Sequence, residues 1–241
     1  EDEEHDSGSI SRKDHNEDLI RLANTVAKEM RPPLNALRGT LFEMKKDESS
    51  SDSQGNLELL EREIERLNGV AADYIDFSAP RVSHTDRITV PTVLKEVVDQ
   101  VNHQAKRVGV RLIYNDKTNF DGYTLGDKER LSRMFLNLLI NSLQASEGGG
   151  QVTVDASHNK GKGEIVVEIS DTGEGIKEEV MGRIFEPFYS TRKRGLGLGL
   201  SISKAVAEEH NGSITAENLT PNGAKFTVRL PVSDKKVISE F

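Results

Sequence analysis

The chain has 241 residues, a formal net charge of −8, no cysteine, no tryptophan and 5% aromatic residues. That length accommodates one large or two modest domains with buried cores. The absence of cysteine excludes disulfides and thiolate metal sites and suits a reducing, cytoplasmic compartment, while the acidic balance argues against nucleic acid as the main partner.

No apolar run is long enough to span a membrane and no signal peptide is recognisable, so no membrane contact is expected within this chain. The acidic start, Glu1 to Asp6 with Gly8 and Ser9 beyond it, reads as part of a flexible tail over residues 1–14. Residues 15–80 read as a helical hairpin. Leu19, Leu22, Val26, Met30, Leu34, Leu37, Leu41 and Met44 recur at spacings of three and four, and Leu57, Leu60, Ile64, Leu67, Ala71, Tyr74 and Phe77 or Ser78 repeat the pattern. The polar, serine-rich run Asp47 to Gly55 is the turn between them. Two helices cannot enclose a core alone, because each stripe keeps one side in water. Pairing with a second copy into a dimeric four-helix bundle is the expected solution, against the alternative of a hairpin packed on its own second domain.

Ser78, Ala79 and Pro80 end the second helix, and the chain to about Arg87 reads as a linker. Within residues 81–241 the pattern then alternates. Val90 to Lys106 is helical, Val110 to Tyr114 strand-like and Gly126 to Ser146 helical. Gln151 to Ala156 and Glu164 to Ser170 form a strand pair, Leu198 to Glu209 a helix, and Ser213 to Glu217 pairs with Ala224 to Leu230. The expected fold class is therefore α+β: a helical hairpin followed by an α/β sandwich with helices on one face of a mixed sheet.

Four short motifs in this second domain carry chemistry. Asn137 and Asn141, at i and i+4 in an apolar helical run, share one helix face, where their amides can meet phosphate-bound water or ligate Mg²⁺. The bland alternative is that they cap or solvate the helix. Asp171-Thr172-Gly173-Glu174-Gly175-Ile176 places a carboxylate able to accept from an adenine amine beside a glycine turn. Phe185-Glu186-Pro187-Phe188 is an aromatic hinge before a cationic stretch at Arg192, Lys193 and Arg194, either a lid that reaches a phosphate or a core cluster beside a solvated loop. In Gly195-Leu196-Gly197-Leu198-Gly199-Leu200, alternate glycines remove the Cβ atoms that would hold backbone N–H groups away from a polyphosphate at a helix start.

With all four in order, the chain resembles the ATP-binding domain of sensor histidine kinases, in the superfamily shared with gyrase, MutL and heat-shock chaperone ATPases. Asn137 and Asn141 match the N box, Asp171 to Ile176 the first glycine box, Phe185 to Phe188 the F box, and Gly195 to Leu200 the second glycine box. The resemblance implies ATP and Mg²⁺ as cofactors. Asn141 would ligate the metal, Asp171 would bind the adenine amine, and Asn137, Gly173, Gly175, Ile176, Phe185, Phe188, Thr191, Arg192 and the second glycine box would line the nucleotide site. The short span from F box to glycine box is similar to the nitrogen-regulatory subgroup. Hydrolytic members of the superfamily, which are ATPases or ATP-gated clamps, use a Glu four residues before the metal-binding Asn. That position is Asn137 here, which cannot accept a proton at neutral pH.

The hairpin resembles the family's dimerisation and phosphoacceptor domain through Lys28-Glu29-Met30-Arg31-Pro32-Pro33-Leu34. The family pattern places its phosphorylated His directly before the Glu, and Lys28 stands there. Glu29, the implied base, and Arg31, Pro33 and Leu34 are retained. An exposed lysine is an ammonium near pH 7 and offers no lone pair, whereas an imidazole does, so self-phosphorylation at position 28 is expected to be lost. Pro32 occupies the place where many members carry a Thr or Asn for dephosphorylating the response regulator. With Pro33 it removes two helix N–H donors, which predicts a bend. The implied partners are a second copy of the chain and a response regulator receiver domain; a hydrolytic ATPase or ATP-gated clamp of the gyrase and chaperone type, or a non-catalytic ATP-binding scaffold, is the alternative function.

Overall fold

The computed structural model describes residues 7–46, 53–78, 86–118, 123–191 and 196–233. Two compact units divide the chain, Glu1–Ala79 with Ser190–Leu196, and Pro80–Tyr189 with Gly197–Phe241.

The first unit is a pair of contacting helices, α1 (Ser7–Lys46) and α2 (Ser53–Ser78). Helix α1 starts at Ser7, so residues 7–14 of the expected tail are helical, and α2 starts inside the expected turn, which places Ser53 to Gly55 in a helix. The remaining parts of that tail and turn, residues 1–6 and 47–52, lie outside the described residues, as do residues 79–85 of the linker. Helix α1 runs on through Pro32 and Pro33. Several stripe residues are only partly covered: Leu34, Leu41, Leu57 and Ile64 are each about half exposed, and Phe42, outside the stripe, is 69% exposed.

The second unit opens with β1 (Asp86–Ile88), which takes Arg87 out of the expected linker and pairs antiparallel with β3 (Thr124–Gly126). Neither short strand shows a periodicity in the sequence. Helix α3 (Val90–Arg107) follows Thr89 in extended conformation, with Pro91 in its first turn and Lys106 and Arg107 in its last, in keeping with a fixed φ at the start and cations at the carbonyl end. Val90, Val93, Leu94, Val97, Val98, Val101 and Ala105 make its buried stripe. After β2 (Arg111–Lys117), helix α4 (Lys128–Ala145) begins two residues later than expected. Asp127 is its N-cap, and Asp127 Oδ1 accepts from the N–H groups of Glu129 at 2.9 Å and Arg130 at 3.1 Å.

Strands β4 (Gln151–Asn159), β5 (Glu164–Asp171), β6 (Ser213–Asn218) and β7 (Ala224–Pro231) complete a five-stranded sheet of order β2-β4-β5-β7-β6. The β2/β4 pair is parallel and the other three are antiparallel. Burial alternates strictly along β5, with Ile165, Val167, Ile169 and Asp171 inward. Helices α3, α4 and α6 (Gly199–Glu209) cover that inner face, α3 against β2, α4 against β4 and β5, and α6 against β6 and β7. The short helix α5 (Glu178–Met181) leads towards the aromatic hinge. Phe135, Leu138, Leu139, Ile165, Ile169 and Leu230 are fully buried between the layers.

Candidate functional site

Strand β5 delivers Asp171 to its last inward position, where the residue is 3% exposed. A carboxylate this deep requires donors. Its Oδ1 accepts from the N–H groups of Gly173 at 3.0 Å and Ala224 at 3.1 Å. Thr172, next in the chain, is tied to the start of β4: its Oγ1 accepts from Gln151 N–H at 2.8 Å and its own N–H donates to the Gln151 carbonyl at 3.1 Å.

The glycines of this first phrase are set by close approach. A Cβ on Gly173 would lie 2.4 Å from the Ala145 carbonyl oxygen, at the end of α4. Gly175 has φ of 78°, and a Cβ there would meet Asn218 Oδ1 at 2.9 Å. Both positions therefore hold a turn against its neighbours, and the first brings the phrase onto the helix that carries the Asn pair. A cleft of about 520 Å³ opens beside it, lined by Ala145, Ser146, Thr172, Gly173, Glu174 and Asn222 among others.

On α4, Asn137 and Asn141 are half-buried on one face. The Nδ2 of Asn137 is buried and has no hydrogen-bond partner. An orphaned amide donor in a folded protein calls for an acceptor. Its neighbour is Gly199, the first residue of α6, where a Cβ would lie 3.8 Å from Asn137 Cγ. That is ordinary contact, so packing does not demand a glycine at 199, in contrast to 173 and 175. Two residues earlier Gly197 has φ of 68°, and a Cβ there would come 2.7 Å from the Tyr189 carbonyl oxygen. The second glycine phrase thus rests on the end of the aromatic hinge at one point and beside Asn137 at another. Leu198 precedes α6 with no side-chain cap bond, which leaves first-turn N–H groups without a side-chain acceptor from that residue.

Phe185 and Phe188 are half-buried, and Phe188 takes φ of 65°, a left-handed conformation uncommon for a bulky residue. Ile176 and Leu200 are half-buried, and Leu196 and Leu198 are buried. Thr191 is exposed and, with Leu196, falls in the first unit. Arg192, Lys193, Arg194 and Gly195 lie outside the described residues. In the first unit Lys28 is exposed, with Arg31 and Asn35, and Glu29 is half-buried.

Two residues that pattern reading passes over shape this region. Asn218, at the end of β6, bonds the backbone of Ile176 in both directions. His210, which closes α6, is 4% exposed, and its ring occupies the space where Gly126 lacks a Cβ. Neither carries a motif signal, because each acts on backbone far away in sequence.

Residues 126–234 match the family described as Histidine kinase-, DNA gyrase B-, and HSP90-like ATPase. The chain is 30% identical over 215 residues to the signal transduction histidine-protein kinase AtoS of Escherichia coli K12, covering 89% of this chain and 35% of that protein. It is 26% identical over 225 residues to the sensor histidine kinase ZraS of Salmonella typhi, covering 93% of this chain and 48% of that protein. The chain thus spans half or less of the length of these relatives. Histidine kinase ThkA, solved in complex with the response regulator protein TrrA, shares the fold with a TM-score of 0.74 at 22% identity, over 98% of this chain and 69% of that one. Residues 126–234 thus resemble the ATP-binding domains of the histidine kinase, gyrase B and HSP90 family, and the two curated relatives named above are histidine kinases.

Proposed function

We propose that this chain is the catalytic core of a sensor histidine kinase that binds Mg-ATP but does not phosphorylate itself, because Lys28 stands at the acceptor position. The observation that carries the nucleotide reading is the buried, unpartnered Nδ2 of Asn137 beside Gly199, on the same helix whose end supports the Asp171 phrase. These groups fit a nucleotide. Asn137 Nδ2 would donate to a phosphate oxygen, the oxygen of Asn141 suits a hard cation shared with phosphates, and the Asp171 carboxylate would accept from an adenine amine. Bound Mg-ATP supplies the activated γ-phosphoryl group. Asn137 in place of a Glu favours holding ATP for transfer over hydrolysing it.

In this reading residues 15–80 are the dimerisation and acceptor hairpin and residues 81–241 the nucleotide-binding domain. The exposed Leu34, Leu41, Phe42, Leu57 and Ile64 support pairing of two hairpins into a four-helix bundle. Glu29 is the base of the acceptor site, Lys28 the exposed residue in place of its nucleophile, and a response regulator receiver domain the downstream partner, as in the complex solved for ThkA. The acidic balance weighs against nucleic acid as a partner, and no helix among the described residues is long and apolar enough to cross a membrane. A non-catalytic ATP-binding scaffold is the second reading, favoured by Lys28 itself.

Incubation with γ-labelled ATP, alone and with a partner kinase that carries the acceptor His but no working ATP site, tests the proposal. Labelling of the partner only is the expected result. Absence of both labelling and ATP binding would overturn the nucleotide reading, and ATP binding without any transfer would favour the scaffold.

A further inference from the structure

The turn between Asp171 and Ile176 is gripped at both ends by one β-hairpin. At the first end, Ala224 N–H donates to Asp171 Oδ1 at 3.1 Å, and Gly223 packs so closely that a Cβ there would lie 1.9 Å from the Asp171 carbonyl oxygen. At the other end, Asn218 Oδ1 accepts from Ile176 N–H at 2.7 Å while Asn218 Nδ2 donates to the Ile176 carbonyl at 2.6 Å. Asn218 and Ala224 are directly paired across β6 and β7, and Leu219 N–H donates to the Gly223 carbonyl at 2.9 Å to close the loop between them. The two grips are therefore spaced by a rigid ladder.

We infer that Asn218 is a positioning residue for the nucleotide site, holding the turn from Gly173 to Ile176 in the shape that receives the base. The inference rests on the nucleotide reading above and adds a residue to it. The primary amide is the one uncharged side chain group that supplies donor and acceptor side by side, so it completes the bonding of Ile176 as a neighbouring strand would. The need for this device follows from the local sequence. Gly173 and Gly175 make the turn permissive, and Gly175 sits at φ of 78° against Asn218 Oδ1 itself. Without the grip the turn samples several conformations, and apparent affinity falls by the fraction of time in the receptive one. Because Asn218 is exposed, on an edge strand, its removal costs little global stability, which separates positioning from folding.

The test compares the full chain with Asn218→Ala, Asn218→Asp and, as a strand control, Thr215→Ala, an exposed position on β6. Calorimetry with Mg-ATP, thermal melting and amide hydrogen exchange at Ile176 are read on each. The expected result for Asn218→Ala is faster exchange at Ile176, ATP affinity weakened about tenfold, and a melting temperature close to that of Thr215→Ala. Asn218→Asp keeps the acceptor but sets a carboxylate oxygen against the Ile176 carbonyl, so it should bind no better than the alanine variant. Faster exchange with unchanged affinity would overturn the inference and leave the nucleotide reading standing. Failure of the parent chain to bind ATP would overturn both.

Discussion

His210 accepts the backbone N–H of Asp127 through Nε2 at 3.0 Å, joining the end of α6 to the N-cap of α4 across 83 positions. The other ring nitrogen, Nδ1, lies 2.7 Å from the Val206 carbonyl. Since a carbonyl only accepts and an N–H only donates, the ring is the neutral tautomer with its proton on Nδ1. Arg130 and Glu209, paired at 2.7 Å and about one-fifth exposed, close the same end of the two helices. The other end of α6, at Gly199, meets Asn137 in the middle of α4.

That junction predicts a coupled pair. His210→Ala should lose about 1–3 kcal/mol by orphaning the half-buried N–H donor of Asp127. Gly126→Ala should lose a similar amount, because its Cβ would lie 2.0 Å from His210 Cδ2. The double variant should be clearly more stable than the sum of the two losses, as denaturant titration would reveal; strict additivity would mean the ring and the glycine do not share one space.

The proposed nucleotide pocket makes a separate prediction. Asp171→Asn presents an amide donor where an adenine amine needs an acceptor, and it also disturbs the grip of Gly173 and Ala224 on Oδ1. ATP binding by calorimetry should fall at least tenfold. Asn141→Asp should change the dependence of binding on Mg²⁺ by adding charge beside the phosphates. Unchanged affinity in the Asp171 variant would assign the first glycine phrase to structure alone.

Self-association should survive loss of the second unit. Leu41 and Ile64 are each 49% exposed in the single chain, so charges placed there cost a monomer little but would be buried in a four-helix seam. Leu41→Asp with Ile64→Asp should convert a dimer into a folded monomer, since an unpaired buried charge costs several kcal/mol. Light scattering at micromolar concentration decides it, and a parent chain that is monomeric there would refute the bundle.

Lys28→His should restore self-phosphorylation. Residue 28 is exposed on α1, and Glu29 is adjacent. Labelled ATP should give an acid-labile, base-stable phosphoramidate on the variant and none on the parent, with Glu29→Ala slowing the reaction by roughly 10²–10⁴-fold, as for loss of a general base. An unlabelled His in a protein that binds ATP normally would point to the scaffold reading.

Periodicity sufficed for the long elements. The stripe from Val90 to Ala105 and the strict alternation in β5 are local, and each element's buried face is written in its own spacing. The two glycine phrases and the Asn pair were legible for the same reason: their residue types carry the chemistry wherever they fold. Strands β1 and β3 were not, because three residues hold no period and exist only by pairing with each other. Helix boundaries slipped where a cap decided them, as at Asp127.

The sequence by itself determined the residue types of the candidate site and that a lysine stands at position 28, since both are matters of composition at fixed spacing. Only the tertiary structure decided which glycines are required by packing. Gly173 and Gly197 are forced by backbone contacts and Gly175 by a positive φ against the Asn218 side chain, while a Cβ at Gly199 would make only ordinary contact with Asn137. It also supplied His210 and Asn218, whose partners lie 83 and 42 residues away. A side chain that bonds distant backbone leaves no trace in local spacing, because its partner is chosen by the path of the chain in space.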